Sequence, residues 1–329
     1  MNRRLLRRLS RMMSLMEERL EQVARARGGV FTSVQATALD IDDTALTRMR
    51  RSREVVRLRR DAYVLGDVWS TAGPEQRLAL RARSLLATRP GDVACHQSAL
   101  ALHGLPLHGV DLRTVDVIAT VSRVRLSSGL RTHPRTAGLD HVVADGYRCV
   151  GIPLALAQVC VRSGVLAAMV PLDAALHDDR CSLDDVAAAL ESLCRTPRLR
   201  SRGRALVTGA DPSCESVGET RTRVLLNDLG LPVRSQVELH DDLGALVGRV
   251  DFLVGDRVVV EFDGAVKYDG VDGRAALVAE KRREDGLRAL GCAVVRVTWA
   301  DLANPRRVVA QIRRAMTGSS AHDGRLPAS

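Results

Sequence analysis

Aromatic side chains are scarce, eight in 329 residues or 2% of the chain. So few cannot build the repeated stacking platforms on which sequence-tolerant single-strand binders lay successive bases, which disfavours that class. The cores must instead be built from Leu, Val and Ala. Lysine is nearly missing: of 49 cationic side chains only Lys267 and Lys281 are lysine. Such skew follows from a GC-rich coding sequence, so arginine richness alone says little about a nucleic-acid partner. Paired cysteine motifs are missing too. Cys95, Cys149, Cys160, Cys181, Cys194, Cys214 and Cys292 are odd in number, widely spaced and free of any C-x-x-C, which argues against a disulfide framework or a zinc ribbon and for a reducing cytoplasm. No apolar run reaches the roughly 18 residues of a membrane span. The best candidate, 150–161, contains Pro153 and Gln158 and reads as a buried strand-to-helix segment. The first twenty residues are basic but interrupted by charge, so they lack the apolar stretch of a secretory signal. The expectation is a cytoplasmic protein with no membrane partner.

What is present is the balance of a globular chain, 46% hydrophobic and 27% charged, long enough for two or three domains at roughly 150 residues each. The net charge of +10 is unevenly placed. The excess of Arg and Lys over acids is +5 in residues 1–75, +5 in 76–212 and zero in 213–329. A polyanion is therefore expected to meet the first two-thirds.

A flexible basic arm is expected over 1–15. Ser14 and Glu17 form a capping-box pattern ahead of Met16, Leu20 and Val23, which predicts a helix ending at Gly28-Gly29. Phe31-Thr32-Ser33 signals a short helix to about Leu39, Asp40 to Asp43 a turn, and Thr44 to about Ser52 a second helix. Leu46 and Met49 share one face of that helix, whereas Thr44, Thr47, Arg48 and Arg51 point outward. The stretch from Val55 to Leu65 alternates apolar and basic residues about a turn near Asp61, as a two-stranded wing does. Seven arginines lie between Arg48 and Arg60 against one acid, Glu54. Guanidinium groups at this density neutralise backbone phosphates and release counterions, so Arg57, Arg59 and Arg60 join Thr44, Thr47, Arg48 and Arg51 as candidate duplex-DNA contacts. A winged helix used for protein contacts is the competing reading.

The stretch GGVFTSVQATALDIDDTALTRMRRSREVVRLRRDAYVL, within 17–67, resembles the winged-helix domain of AbiEi-type antitoxins of type IV toxin–antitoxin systems. The likeness continues faintly through CHQSALALHGLP at 95–106 and IPLALAQVC at 152–160. It implies a DNA-binding domain at 16–67, an AbiEi-like α/β middle domain at 68–205, and a cognate toxin as a further candidate partner. In the middle, helices are expected at 76–88, 97–103, 153–163, 166–177 and 183–194, and strands near 113–120, 123–132 and 141–151. Cys95, His96, His103 and His108 invite a metal reading, but their spacing matches no common zinc pattern, and a structural histidine at a helix start is the preferred reading. No catalytic constellation is evident there. Residues 195–213 read as a linker, and 317–329 as a disordered tail.

From Ser213 the pattern is helix, three strands, helix, strand, helix, a mixed sheet with helices on its faces. Strands are expected at about 233–240, 246–254, 257–262 and 293–298, with helices at about 273–290 and 305–316. Asp251 and Glu261 interrupt Val-, Leu- and Phe-rich strands, and buried charges there need compensation, which a bound cation supplies. A three-residue connection at Gly255-Asp256-Arg257 pairs 254 with 258 and sets Asp251 opposite Glu261 on one face. Asp263 shares that face, and Glu219 of the preceding helix can reach it. Converging carboxylates with oxygen-only ligation select Mg²⁺ or Mn²⁺.

Five blocks in order, CESVGETRTR at 214–223, GRVDFLV at 248–254, VVVEFDG at 258–264, EKRREDGLRALG at 280–291 and VVRVTW at 294–299, resemble the Vsr-like endonuclease domain of the PD-(D/E)XK superfamily. The resemblance covers about 100 residues. It implies a restriction-endonuclease-like α/β/α domain at 213–316, with Asp251 and Glu261 as metal ligands and Glu219 as a supporting acid. Asp263 stands where the superfamily often has lysine, which leaves the base unassigned, with Lys267 and Lys281 as candidate substitutes. The whole chain is thus expected to be multidomain α+β, a DNA-binding protein with a Mg²⁺-dependent endonuclease. The alternative is a non-catalytic antitoxin-like autorepressor with a vestigial nuclease fold.

Overall fold

The computed structural model describes residues 15–136, 138–264 and 273–318. None of its helices among these residues is long and apolar enough to cross a membrane. The chain is mixed α and β and divides into two units: residues up to Pro171 with Cys181–Val207, and Leu172–Arg180 with the chain from Thr208 onward.

The amino-terminal unit opens with helix α1 (15–25). It stops because Gly28 and Gly29 take φ +66° and +86°, a region costly to residues with a Cβ. Strand β1 (Val30–Thr32) leads into α2 (Ser33–Thr37), which Thr32 and Gln35 cap reciprocally. Asp42 caps α3 (Asp43–Arg51) by accepting the Ala45 N–H at 2.7 Å. Strands β2 (Val55–Arg59) and β3 (Ala62–Leu65) turn at Asp61, whose φ is +59°. The sheet order is β1-β3-β2, antiparallel throughout. Leu20, Phe31, Leu46, Met49 and Tyr63 share one core, with the Phe31 and Tyr63 rings stacked at 5.4 Å. Helices α4 (Gly66–Thr71) and α5 (Pro74–Thr88) follow directly. Val30, Val64, Ala72 and Leu80 form a second buried cluster, so residues on both sides of position 67 share a core.

A six-stranded sheet comes next, made by β4 (Val93–Ala94), β5 (Val115–Ala119), β6 (Arg125–Ser127), β7 (Leu130–Pro134), β8 (Val142–Ala144) and β9 (Tyr147–Cys149) in the order β6-β7-β5-β4-β9-β8. Helices α6 (His96–Leu102), α7 (Ile152–Ser163) and α9 (Leu183–Leu193) belong to the same unit, and α8 (Val165–His177) begins in it and ends in the other. The stretches expected as single strands over 123–132 and 141–151 contain two hairpins, β6-β7 and β8-β9. The expected linker at 195–213 contains helix α10 (Pro197–Gly209), which buries Leu206 and sets Gly203 against Leu190 and Cys194. Its arginines at every second position conceal a narrow buried stripe, so composition alone misreads it.

The carboxy-terminal unit follows the expected order: α11 (Val217–Asp228), β10 (Val233–His240), β11 (Leu246–Val254), β12 (Val258–Asp263), α12 (Gly273–Ala289), β13 (Ala293–Thr298), α13 (Trp299–Leu302) and α14 (Pro305–Gly318). The sheet order is β10-β11-β12-β13, with β13 parallel to β12 after the helical crossover. Leu226, Phe252, Val260, Val297 and Ile312 fill one core, and Leu239, Leu253, Val259 and Leu287 another. The expected arm falls, apart from residue 15, outside the described residues. So do residues 319–329, while 317 and 318 belong to α14.

Gly218 sets how closely α11 approaches β12. A Cβ there would lie 1.9–2.3 Å from three ring atoms of Phe262. Gly218→Ala is therefore expected to destabilise this unit by at least about 1–3 kcal/mol, the usual cost of overpacking. Urea unfolding checks it, and an unchanged midpoint would refute the packing argument.

Candidate functional site

In the amino-terminal unit the apolar face of α3, Leu46 and Met49, is buried, and this fixes the opposite face. Thr44, Thr47, Arg48 and Arg51 are all exposed, as are Arg57 and Arg60 on the β2-β3 hairpin. Two of these arginines meet acids: Arg48 pairs with Glu17 of α1 at 2.5 Å, and Arg60 lies 3.5 Å from Asp61. Both pairs are solvent-accessible and weak, so they yield readily to a phosphate. Arg59 departs from the expected outward set. The register shifts between Arg57 and Arg59, and the bulge turns Arg59 inward to a half-buried position. Burial first, then the charge of Arg89, lowers its pKa.

The hairpin of the carboxy-terminal unit has the expected register, Val254 opposite Val258 and Phe252 opposite Val260. Beyond that point the Phe262 N–H is taken by a side chain, donating to Asp251 Oδ2 at 2.8 Å. The Asp251 carboxyl is pushed up to about 6, by burial first and then by the negative charges of Glu219 and Glu261. The three acids therefore do share one electrostatic neighbourhood. Asp263 sits exposed at the end of β12, and Lys281 is exposed on α12. Lys267 lies outside the described residues.

Two of these acids are already engaged by groups of the chain itself. Glu219 spends both oxygens locally: Oε1 accepts from Ser216 Oγ at 2.7 Å, and Oε2 from the Glu215 N–H at 2.9 Å and Gln236 Nε2 at 3.0 Å. Arg283 of α12 grips Glu261 with two hydrogen bonds, 2.6 and 3.0 Å, and also binds Glu280. The charge compensation that Glu261 needs thus comes from a guanidinium, a better geometric match to one carboxylate than a small ion. Nothing in the spacing of EKRREDGLRALG singles out Arg283, because its partner is 22 residues away across the crossover.

Among the described residues, the set of His, Cys, Asp or Glu with ligand atoms close enough to hold a metal is Cys95, His96 and His133. His96 Nδ1 lies 3.2 Å from Cys95 Sγ, and the rings of His96 and His133 stack at 4.4 Å. His133 is the residue sequence reading missed. It arrives because β5 and β7 pair in parallel with Ile118 beside His133, a long-range match without a local signature. His103 instead bonds the Val150 carbonyl at 3.0 Å, and neither it nor His108 belongs to the set. Buried Asp116 organises the cluster, accepting from His133 at 2.7 Å, from Gln97 at 2.8 Å and from Arg162. Burial alone would raise its pKa, but the bonds from His133 and Arg162 prevail and hold it at about 2. His96 is held neutral at about 3, by burial first and then by Arg162 and His133. Two arginines, Arg131 and Arg162, already serve this one carboxylate, a surrounding that suits a structural network better than a further cation.

A family model described as "Transcriptional regulator, AbiEi antitoxin" matches residues 18–66, the part that carries α3 and the hairpin. Two uncharacterized proteins from different strains of Mycobacterium tuberculosis are each 28% identical over 228 residues, covering 68% of this chain and 80% of the relative.

Proposed function

We propose that this protein is a duplex-DNA-binding regulator acting in a toxin–antitoxin setting, with residues 16–67 as a winged helix-turn-helix. The observation that carries this reading is the exposed face of α3, Thr44, Thr47, Arg48 and Arg51, held rigid by buried Leu46 and Met49 beside an arginine-bearing hairpin. A helix so presented fits the major groove, and the wing arginines reach flanking phosphates. The match to an antitoxin transcriptional regulator over 18–66 supports it and makes a cognate toxin the natural protein partner. Arg48→Ala combined with Arg51→Ala is expected to weaken binding of the full chain to its duplex about tenfold. The slope of log affinity against log salt should shrink by roughly 0.9 for each phosphate that is no longer neutralised. Fluorescence anisotropy across a salt series measures both, and an unchanged slope would assign this face to protein contacts.

A second reading, hydrolysis of DNA phosphodiesters by the carboxy-terminal unit, is favoured by the protonation state of Asp251, since an acid held near 6 by burial and neighbouring carboxylates is poised for a cation. Asp251 and Glu261 are the residues that would hold Mg²⁺ or Mn²⁺. When bound, such an ion activates water and stabilises charge on phosphoryl oxygens. Glu219 supports the site from its capped helix, and Arg283 must leave Glu261 first. Asp263 and Lys281 are the described candidates for moving the water's proton. Calorimetric titration with Mg²⁺ is expected to show binding that Asp251→Asn abolishes and Arg283→Ala tightens several-fold. Identical isotherms for all three chains, with no nicking of plasmid by the parent, would leave the non-catalytic autorepressor.

A further inference from the structure

The amino-terminal unit contains a cavity of about 360 Å³ whose polar lining is arginine and serine, with no Asp or Glu among the described residues. Arg59 enters from β2, Arg81 and Ser84 from α5, Arg113 from the approach to β5, Ser127 from the end of β6 and Ser128 from the turn that follows. Two of these residues bury polar atoms that lack a partner among the described residues. Ser84 is fully buried with its Oγ unpaired, and Nε of Arg59 is likewise unpaired. A buried donor without a partner carries its full desolvation cost, and an uncompensated guanidinium carries more. Arg81 is tethered through its donation to the Leu112 carbonyl at 3.1 Å and by its position 5.3 Å over the Trp69 ring. Burial, then the charges of Arg77 and Arg113, disfavours its cationic form, as burial and Arg89 do for Arg59. The acids closest in effect are Asp111, acting on Arg81, and Asp92, acting on Arg59 but paired with Arg89 at 2.7 Å, and neither lines the cavity.

We propose that this cavity binds a phosphate group, with Arg59, Arg81 and Arg113 supplying charge and Ser127 and Ser128 supplying hydroxyl donors. Guanidinium forks match phosphate oxygens in planar pairs, and a multiply charged oxyanion suits three arginines in a lining that holds no acid. The volume exceeds what a bare phosphate needs and falls at the small end of ligand cavities. The group therefore belongs either to a small phosphorylated molecule or to a backbone phosphate of DNA, two sources of the same chemistry. The assignment is independent of the DNA-binding reading, because a small probe tests it directly. It also accounts for the inward turn of Arg59.

Titration of inorganic pyrophosphate into the full chain at low salt, followed by calorimetry, tests the site. Saturable binding is expected, weakened about tenfold or more in Arg81→Gln, as for loss of a charge-assisted hydrogen bond, and unaffected in Arg148→Gln, an exposed arginine outside the lining. Arg113→Gln separates ligation from folding. Its side chain lines the cavity and is exposed, so the variant should melt no lower than the parent without pyrophosphate yet bind it several-fold more weakly. A duplex arm separates the two sources. If pyrophosphate displaces duplex DNA and Arg81→Gln weakens both, the cavity takes a backbone phosphate. If Arg81→Gln loses pyrophosphate and keeps duplex affinity, the ligand is a free phosphorylated molecule. Absence of pyrophosphate binding by the parent chain, or affinity equal to the parent's in Arg81→Gln and Arg113→Gln, overturns the proposal.

Discussion

Arg223→Ala is expected to cost the carboxy-terminal unit about 3–5 kcal/mol, a large fraction of the stability of an ordinary domain. Arg223 and Asp173 form a pair 2.6 Å apart with side chains 5% and 0% exposed. Thr220 donates to the same carboxylate at 2.9 Å, and the Asp211 N–H donates to its other oxygen at 3.0 Å. Arg223 also reaches the Gly209 carbonyl and Cys214 Sγ, so one guanidinium ties α11 both to Asp173 and to the segment that leads into it. Deleting it strands a carboxylate whose pKa burial already raises, leaving the side chain to protonate or to drag water inward. The chain has two tryptophans, and Trp299 lies in this unit with its ring 4.7 Å from that of Phe262. Urea unfolding followed by Trp299 fluorescence in a Trp69→Phe background therefore reads this unit alone. If the pair acts as argued, Arg223→Met with Asp173→Leu recovers much of the loss, since two apolar groups leave no orphan charge. A shift below about 1 kcal/mol for Arg223→Ala would show that water reaches the pair.

Asp251→Asn should move stability in the opposite direction. The folded carboxyl holds its proton up to about 6, against an ordinary 3.8. Below pH 4 both states are protonated and the residue costs nothing. As pH rises from 4 to 6 the unfolded chain releases its proton while the folded one keeps it, so stability falls, and above 6 the penalty is at most about 3 kcal/mol. The amide has no charge to desolvate or to set against Glu219 and Glu261, and its oxygen still accepts the Phe262 N–H. The variant should be more stable at pH 8 by about 1–3 kcal/mol, with a flatter profile between pH 4 and 6. Stability given up at one acid in this way is the usual mark of a functional position. A parent profile flat over that window, or a variant less stable at pH 8, would mean that the carboxylates do not act on one another.

Arg283 and Arg59 show where reading from sequence reached its limit. That Glu261 needed a positive partner followed from a charge within an apolar strand, and the register placing it near Asp251 followed from a three-residue connection. The partner's identity did not follow, because a crossover helix can present any of several basic residues to β12. Arg59 looked like one more outward arginine in an alternating strand. A bulge inverted its direction, and bulges depend on how the opposing strand is held.

Local chemistry was enough to specify the cap of α2, the turn at Asp61, the buried face of Leu46 and Met49, and the β10-β11-β12 meander, because each is settled by neighbours within a few positions. Long-range pairing settled the rest. It brought His133 to Cys95 and His96, packed α10 where a linker was expected, seated Arg283 on Glu261, and gathered Arg59, Arg81 and Arg113 around a cavity whose described lining holds no counter-charge. Such contacts come from strand partners and helix faces tens of residues apart, and the residues in between carry no record of which partner prevails.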